Sequence, residues 1–151
     1  MARTLTNTTV QVWAQFIRVE QELLDAVEAA LKAAGLPPLV WYDALLELAR
    51  EPSGRLRHRD LHPRMLLAKY NLSRVIDRMG AEGLVAREPI DDDARGAYIQ
   101  ITASGRRMVR RMWSVYGRVI SENFASRLAT SDIDDLGRVL DKLRPKRAST
   151  S

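Results

Sequence analysis

Residues 72–88 read LSRVIDRMGAEGLVARE, and residues 92–107 read DDARGAYIQITASGRR. In the first run Leu72, Val75, Ile76 and Met79 recur with the 3.6-residue period of a helix, while Ser73, Arg74, Asp77 and Arg78 fall largely on other faces. Gly83 is a natural stop for that helix. The period then changes. Residues 84–88 read as a strand, residues 89–96 as a charged turn, and residues 97–101 as a return strand with Ala97, Ile99 and Ile101 on one side. Thr102 stands where the cap of a following helix belongs. An amphipathic helix, a hairpin and a capped helix, in that order, are the parts of a winged helix-turn-helix.

The flanks extend the pattern. Residues 6–34 lack Pro and Gly and predict one long helix, stopped by Gly35. Its apolar positions form two rows, Val10, Trp13, Ile17, Leu24, Val27, Leu31 and Phe16, Val19, Leu23. Such a face is wider than one small domain usually covers, which suggests a helix shared with a second subunit; a helix central to its own core is the alternative. Residues 39–51 predict a second helix with Trp41, Ala44, Leu45 and Leu48 inward, and Pro52-Ser53-Gly54 closes it. Residues 58–67 predict a short third helix that tolerates Pro63 if it begins near Asp60. The fourth is expected over 68–82, starting at Ala68 without a capping hydroxyl. It contains Gly80, for which close packing is a possible reason. A fifth helix carries Met108, Met112, Val115, Tyr116, Val119 and Ile120. Ser131 with Asp134 resembles a capping box for a sixth. Residues 145–151 predict a disordered tail. The fold class is mainly α with a small β-hairpin wing, in a single domain: residues 6–36 and 103–144 form a helical dimerisation region, and residues 39–102 the DNA-binding lobe.

Composition narrows the function. The chain has 151 residues, a net charge of +5 and no cysteine, which excludes disulfides and thiolate sites. Between Arg55 and Arg87 stand eight basic and three acidic residues, so this stretch carries the whole net charge. Concentrated positive charge suits nucleic acid, although a solvated basic surface has the same composition. No run is long and apolar enough to span a bilayer, and the N-terminus has no signal-peptide pattern, so a cytoplasmic protein is expected.

The runs at 72–88 and 92–107 resemble the MarR family of winged helix-turn-helix regulators. The match rests on the recognition-helix run, on Asp93-Ala94-Arg95-Gly96 in the wing, and on Thr102 with Gly105-Arg106 opening the next helix. The resemblance implies a homodimer in which the first, fifth and sixth helices interlock and two recognition helices bind a pseudo-palindromic operator in double-stranded DNA. It implies that Arg95 enters the minor groove, oriented by Asp93. A narrow minor groove focuses negative potential and attracts arginine; an ordinary surface ion pair is the alternative. On this reading Arg55, Arg57, Arg59, Arg64 and Arg87 meet phosphates, while Lys69, Tyr70, Asn71, Ser73 and Arg74 occupy the start of the recognition helix. Many relatives are repressors that bind small aromatic anions. Trp13, Trp41, Tyr42, Trp113 and Tyr116 are the candidate lining here, although aromatics at helical spacing are more often core.

No cofactor and no metal are expected. His58 and His62 have a spacing that suits one helical face, but Asp60 lies off that face and Pro63 disturbs it. No nucleophile–base arrangement stands out, so an enzyme is not expected. The alternative function is a winged-helix adaptor that binds an acidic protein without reading DNA sequence.

Overall fold

The structure, a computed structural model, describes residues 3–67, 71–90 and 93–145. The side chains of residues 93–95 also lie outside that description. Two compact units divide the chain, Met1–Tyr116 and Gly117–Ser151.

In the first unit α1 spans Asn7–Ala33 and α2 spans Leu39–Arg50. The hydroxyl of Thr6 caps α1 by accepting from the Thr9 N–H at 3.1 Å. No side chain of its own N-cap, Pro38, can cap α2. Instead Glu28 of α1 accepts from the Leu39 N–H at 2.7 Å, so one helix caps the next. Only Val27 and Leu31 of α1 are fully buried, whereas Val10, Trp13, Phe16 and Val19 stay exposed.

A three-residue strand, β1 (Arg55–Arg57), leads into α3 (His58–Leu61) and a 3₁₀ turn over His62–Arg64. The third helix is therefore shorter than expected. Asp60 lies inside it and its N-cap is Arg57. Pro63 is placed in the first turn of the 3₁₀ segment, where its missing N–H costs nothing.

The fourth helix, α4, spans Leu72–Ala81. It opens at Leu72 rather than Ala68, because Asn71 is the cap: its Oδ1 accepts from the Arg74 N–H at 3.3 Å. Leu72, Val75, Ile76 and Met79 are its buried stripe. They join Trp41, Ala44, Leu45, Leu48, Leu56, Leu61, Ile99 and Ile101 in one core. Gly83, at φ +74°, ends the helix in a backbone conformation that a side chain would strain. The Leu84 N–H reaches back to the Met79 carbonyl at 2.9 Å. Close packing does not explain Gly80: a Cβ there would have Val85 O as its nearest neighbour, at 4.0 Å. Gly80→Ala is therefore expected to stabilise the protein by about 0.5–1 kcal/mol, read as a higher thermal midpoint.

Strands β2 (Val85–Ile90) and β3 (Asp93–Ile101) form the wing. The sheet order is β1-β3-β2, all antiparallel. Most of the expected eight-residue turn is strand, with Pro89 opposite Ala97 and Ile90 opposite Asp93. Helix α5 (Ala103–Asn123) follows directly and runs on past the end of the first unit.

The second unit contains the end of α5, a 3₁₀ turn over Ala125–Arg127 and α6 (Thr130–Leu143). Here too the cap differs from expectation. Asp132, in place of Asp134, reaches back and accepts from the Ala129 N–H at 2.8 Å, so the helix starts at Thr130. Ile133, Val139 and Leu143 on α6 are exposed apolar residues.

Candidate nucleic-acid interface

The interface begins with what α4 leaves outside. Ser73, Arg74, Asp77 and Arg78 are exposed, and the core holds the opposite face. A recognition helix offers its N-terminal residues to base edges, and here those are Ser73 and Arg74, with Asn71 at the cap. The capping bond occupies Asn71 Oδ1, while the amide nitrogen of Asn71 keeps its donor capacity. Ala68, Lys69 and Tyr70 lie outside the described residues.

Beside α4 lies a concavity of about 520 Å³, floored by Ile76 and Ile99 and lined by Arg57, His58, Arg59, Ser73 and Arg87. Sheet register brings Arg87 and Ile99 to it. Leu56 and Arg87 both oppose Ile99, so all three share the inner face. Towards the tip that face carries Arg87, whose guanidinium is bonded to Asp77 of α4. The outer face carries Arg57, Tyr98 and Glu88 in register. Arg55 stacks on the Tyr98 ring at 4.4 Å from its centroid and Arg57 lies at 5.5 Å.

The five arginines expected at phosphates thus occupy three settings. Arg59 is at the concavity, 3.9 Å from Asp60, and Arg87 is there in its pair with Asp77. Arg55 and Arg57 are at β1, with Arg55 paired to Glu88 at 3.0 Å. Arg64 is bonded to Glu51, which raises its already high pKa, and sits apart on the 3₁₀ turn. These pairs are exposed and individually worth little, so exchange for phosphate is cheap. Strand β3 carries Asp93 and Arg95, whose side chains lie outside the described residues.

Two features hold this surface in place, and the sequence singles out only the second. Asp43, on α2, is the one buried charged residue among those described, at 5% exposure. Its carboxylate accepts from the Leu66 N–H at 3.0 Å and from the Leu67 N–H at 2.7 Å, in the segment that approaches α4. The second is the junction of wing and α5. Thr102 Oγ1 accepts from the Gly105 N–H at 3.1 Å and donates to the Gly83 carbonyl at 2.7 Å. One hydroxyl therefore caps α5 and ties it to the end of α4.

Among the five candidate ligand-binding aromatics, Tyr42, Trp113 and Tyr116 come together. Tyr42 and Trp113 stack with centroids 6.3 Å apart, and Tyr116 meets both edge-on at 5.3 and 5.8 Å. Burial pushes both phenols above their ordinary pKa; Tyr116 adds to the shift of Tyr42, and the charge of Asp43 to that of Tyr116. Both phenols are thus neutral donors at pH 7. Trp41 is instead buried in the main core, and Trp13 is 66% exposed on α1. Among the described residues no group of His, Asp and Glu is arranged to hold a metal ion, and no helix is long and apolar enough to cross a membrane.

A helix-turn-helix with a three-stranded wing, backed by one core and fronted by arginines, defines a winged-helix DNA-binding protein of the kind that regulates transcription. Comparison with known proteins finds similarity to one family. A sequence model of the MarR family matches residues 34–96. The transcriptional repressor MprA of Escherichia coli strain K12 is 23% identical over 127 residues, 84% of this chain and 71% of that protein. Among solved structures, AbsC, a MarR family transcriptional regulator from Streptomyces coelicolor, has a TM-score of 0.81 at 28% identity, covering 94% of this chain and 95% of that one. Sco3205, another from the same organism, in complex with DNA, has a TM-score of 0.83 at 27% identity, covering 99% and 97%. Over residues 34–96 the chain matches the MarR family model, and over nearly its whole length it is similar to MarR family transcriptional regulators.

Proposed function

We propose that the protein is a homodimeric repressor that reads a pseudo-palindromic operator through α4 and releases it on binding a small aromatic anion. The observation that carries the DNA reading is the division of α4: Leu72, Val75, Ile76 and Met79 are locked in the core, and Ser73 and Arg74 stand out beside an arginine-lined concavity. The DNA-bound state of Sco3205, a structure of the same fold, is consistent with it. Ser73, Arg74, Asn71 and Lys69 read bases; Arg55, Arg57, Arg59, Arg64 and Arg87 meet phosphates; Arg95, steered by Asp93, enters the minor groove.

The exposed apolar residues support the dimer. Val10, Trp13, Phe16 and Val19 on α1 and Ile133, Val139 and Leu143 on α6 are apolar area that water disfavours and a second copy would cover. With two-fold symmetry, half-sites lie roughly 34–36 Å apart. The aromatic trio of Tyr42, Trp113 and Tyr116 offers flat apolar surface and two phenolic donors to an aromatic effector.

Selection from a randomised duplex pool, followed by affinity measurement across a salt series, tests this reading. Arg74→Ala is expected to flatten the preference at one base step per half-site, a loss of about 1–3 kcal/mol. Arg57→Ala is expected to weaken all duplexes alike and reduce the salt slope by roughly one. Wild-type binding by both variants would show that the surface has been misassigned.

A further inference from the structure

His58 is the first residue of α3, and its Nε2 lies 3.3 Å from the Oγ of Ser73, the second residue of α4. We infer that His58 sets the hydrogen-bond sense of Ser73 and so makes the base preference of α4 respond to pH. The inference rests on the reading of α4 as the element that meets base edges.

A serine hydroxyl has one proton to give and lone pairs to accept with. In the neutral ring with its proton on Nδ1, Nε2 accepts, so Ser73 donates to it and presents only acceptors outward. Bases that offer an amino group, cytosine and adenine, then suit it. When the imidazole is protonated, Nε2–H donates to Ser73 and the hydroxyl proton turns outward. Guanine and thymine, which present acceptors, then gain. Imidazole is the side chain whose charge ordinarily changes between pH 5 and 8.

The charged side chains that border the concavity with His58 are Arg57 of β1, Arg59 of α3 and Arg87 of β2. Arg87 is bonded to Asp77 of α4, and Arg59 lies 3.9 Å from Asp60. His62, in the 3₁₀ turn that follows α3, is the other imidazole of the chain.

The full-length protein would be used to select duplexes from a randomised pool at about pH 5.5 and about pH 8. The wild type is expected to change its preference at one step per half-site by about three- to tenfold. His58→Gln, which can donate or accept without titrating, should show one preference at both pH values. Ser73→Ala should lose both the preference at that step and its change with pH. A wild-type preference that is the same at both pH values overturns the inference. So does a uniform gain in affinity at low pH that persists in Ser73→Ala, since His58 would then act on phosphate alone. If neither pH enriches any sequence, the reading of α4 as a recognition helix fails first and takes this inference with it.

Discussion

Gly105→Ala is expected to destabilise the fold by about 3 kcal/mol, the upper part of the range for overpacking, and to reduce operator affinity with it. A Cβ at Gly105 would stand 2.3 Å from the Leu84 carbonyl oxygen and 2.7 Å from the Ile101 side chain. The first neighbour is backbone and cannot rotate away. It is held on both sides, because Leu84 O also accepts from the Thr102 N–H at 3.0 Å. Relief requires α5 to back off from the wing, which breaks the two bonds of the Thr102 hydroxyl, to Gly105 N–H and to Gly83 O. The thermal midpoint measures the first effect. Operator affinity, compared where both proteins are folded, measures the second. A variant with an unchanged midpoint would mean that the junction yields freely.

That junction also shows what the sequence discloses. The spacing of Thr102 and Gly105 is legible as a cap followed by glycine, and it is one basis of the family resemblance. The reason for the glycine is not legible, because it depends on a carbonyl 21 residues away in the chain, at Leu84. Long-period features read well for the same reason that they fold reliably. The stripe Leu72, Val75, Ile76, Met79 is a repeated signal, and each member lands in the core. Short features read poorly. Strand β1 has three residues, too few for an alternation to appear, and exists because β3 offers it a partner through Leu56 opposite Ile99. The start of α4 differs from the expected Ala68 for a local reason. The sequence offers Asn71 as a base-reading residue, and the bond that its Oδ1 accepts from the Arg74 N–H makes it the cap. The pairing of Arg87 with Asp77 and of Arg64 with Glu51 is likewise tertiary, so neither arginine reveals its partner in sequence.

Asp43→Ala should have an effect of the same order, and for the opposite reason: it removes atoms that the fold needs. On a helix whose inward positions are Trp41, Ala44, Leu45 and Leu48, nothing in the sequence marks Asp43 as buried. It is buried, and both of its oxygens hold backbone N–H groups of Leu66 and Leu67. Without the carboxylate those two donors have no acceptor, at about 1–3 kcal/mol each if water does not reach them. Asp43→Asn keeps one oxygen but sets an amino group against the other N–H, so it is expected to fall between wild type and alanine. The consequence for function follows from position. Leu66 and Leu67 precede the cap of α4, and their anchorage to α2 limits where that helix can begin. Amide hydrogen exchange at Leu66 and Leu67 should accelerate in both variants, and the Tyr116 phenol should move down towards its ordinary pKa as the nearby charge is lost. Operator affinity should fall across all sequences alike, since no base contact is removed. Slow exchange at both amides in Asp43→Ala would show that another group takes over the two bonds, and that the approach to α4 is held by something other than this carboxylate.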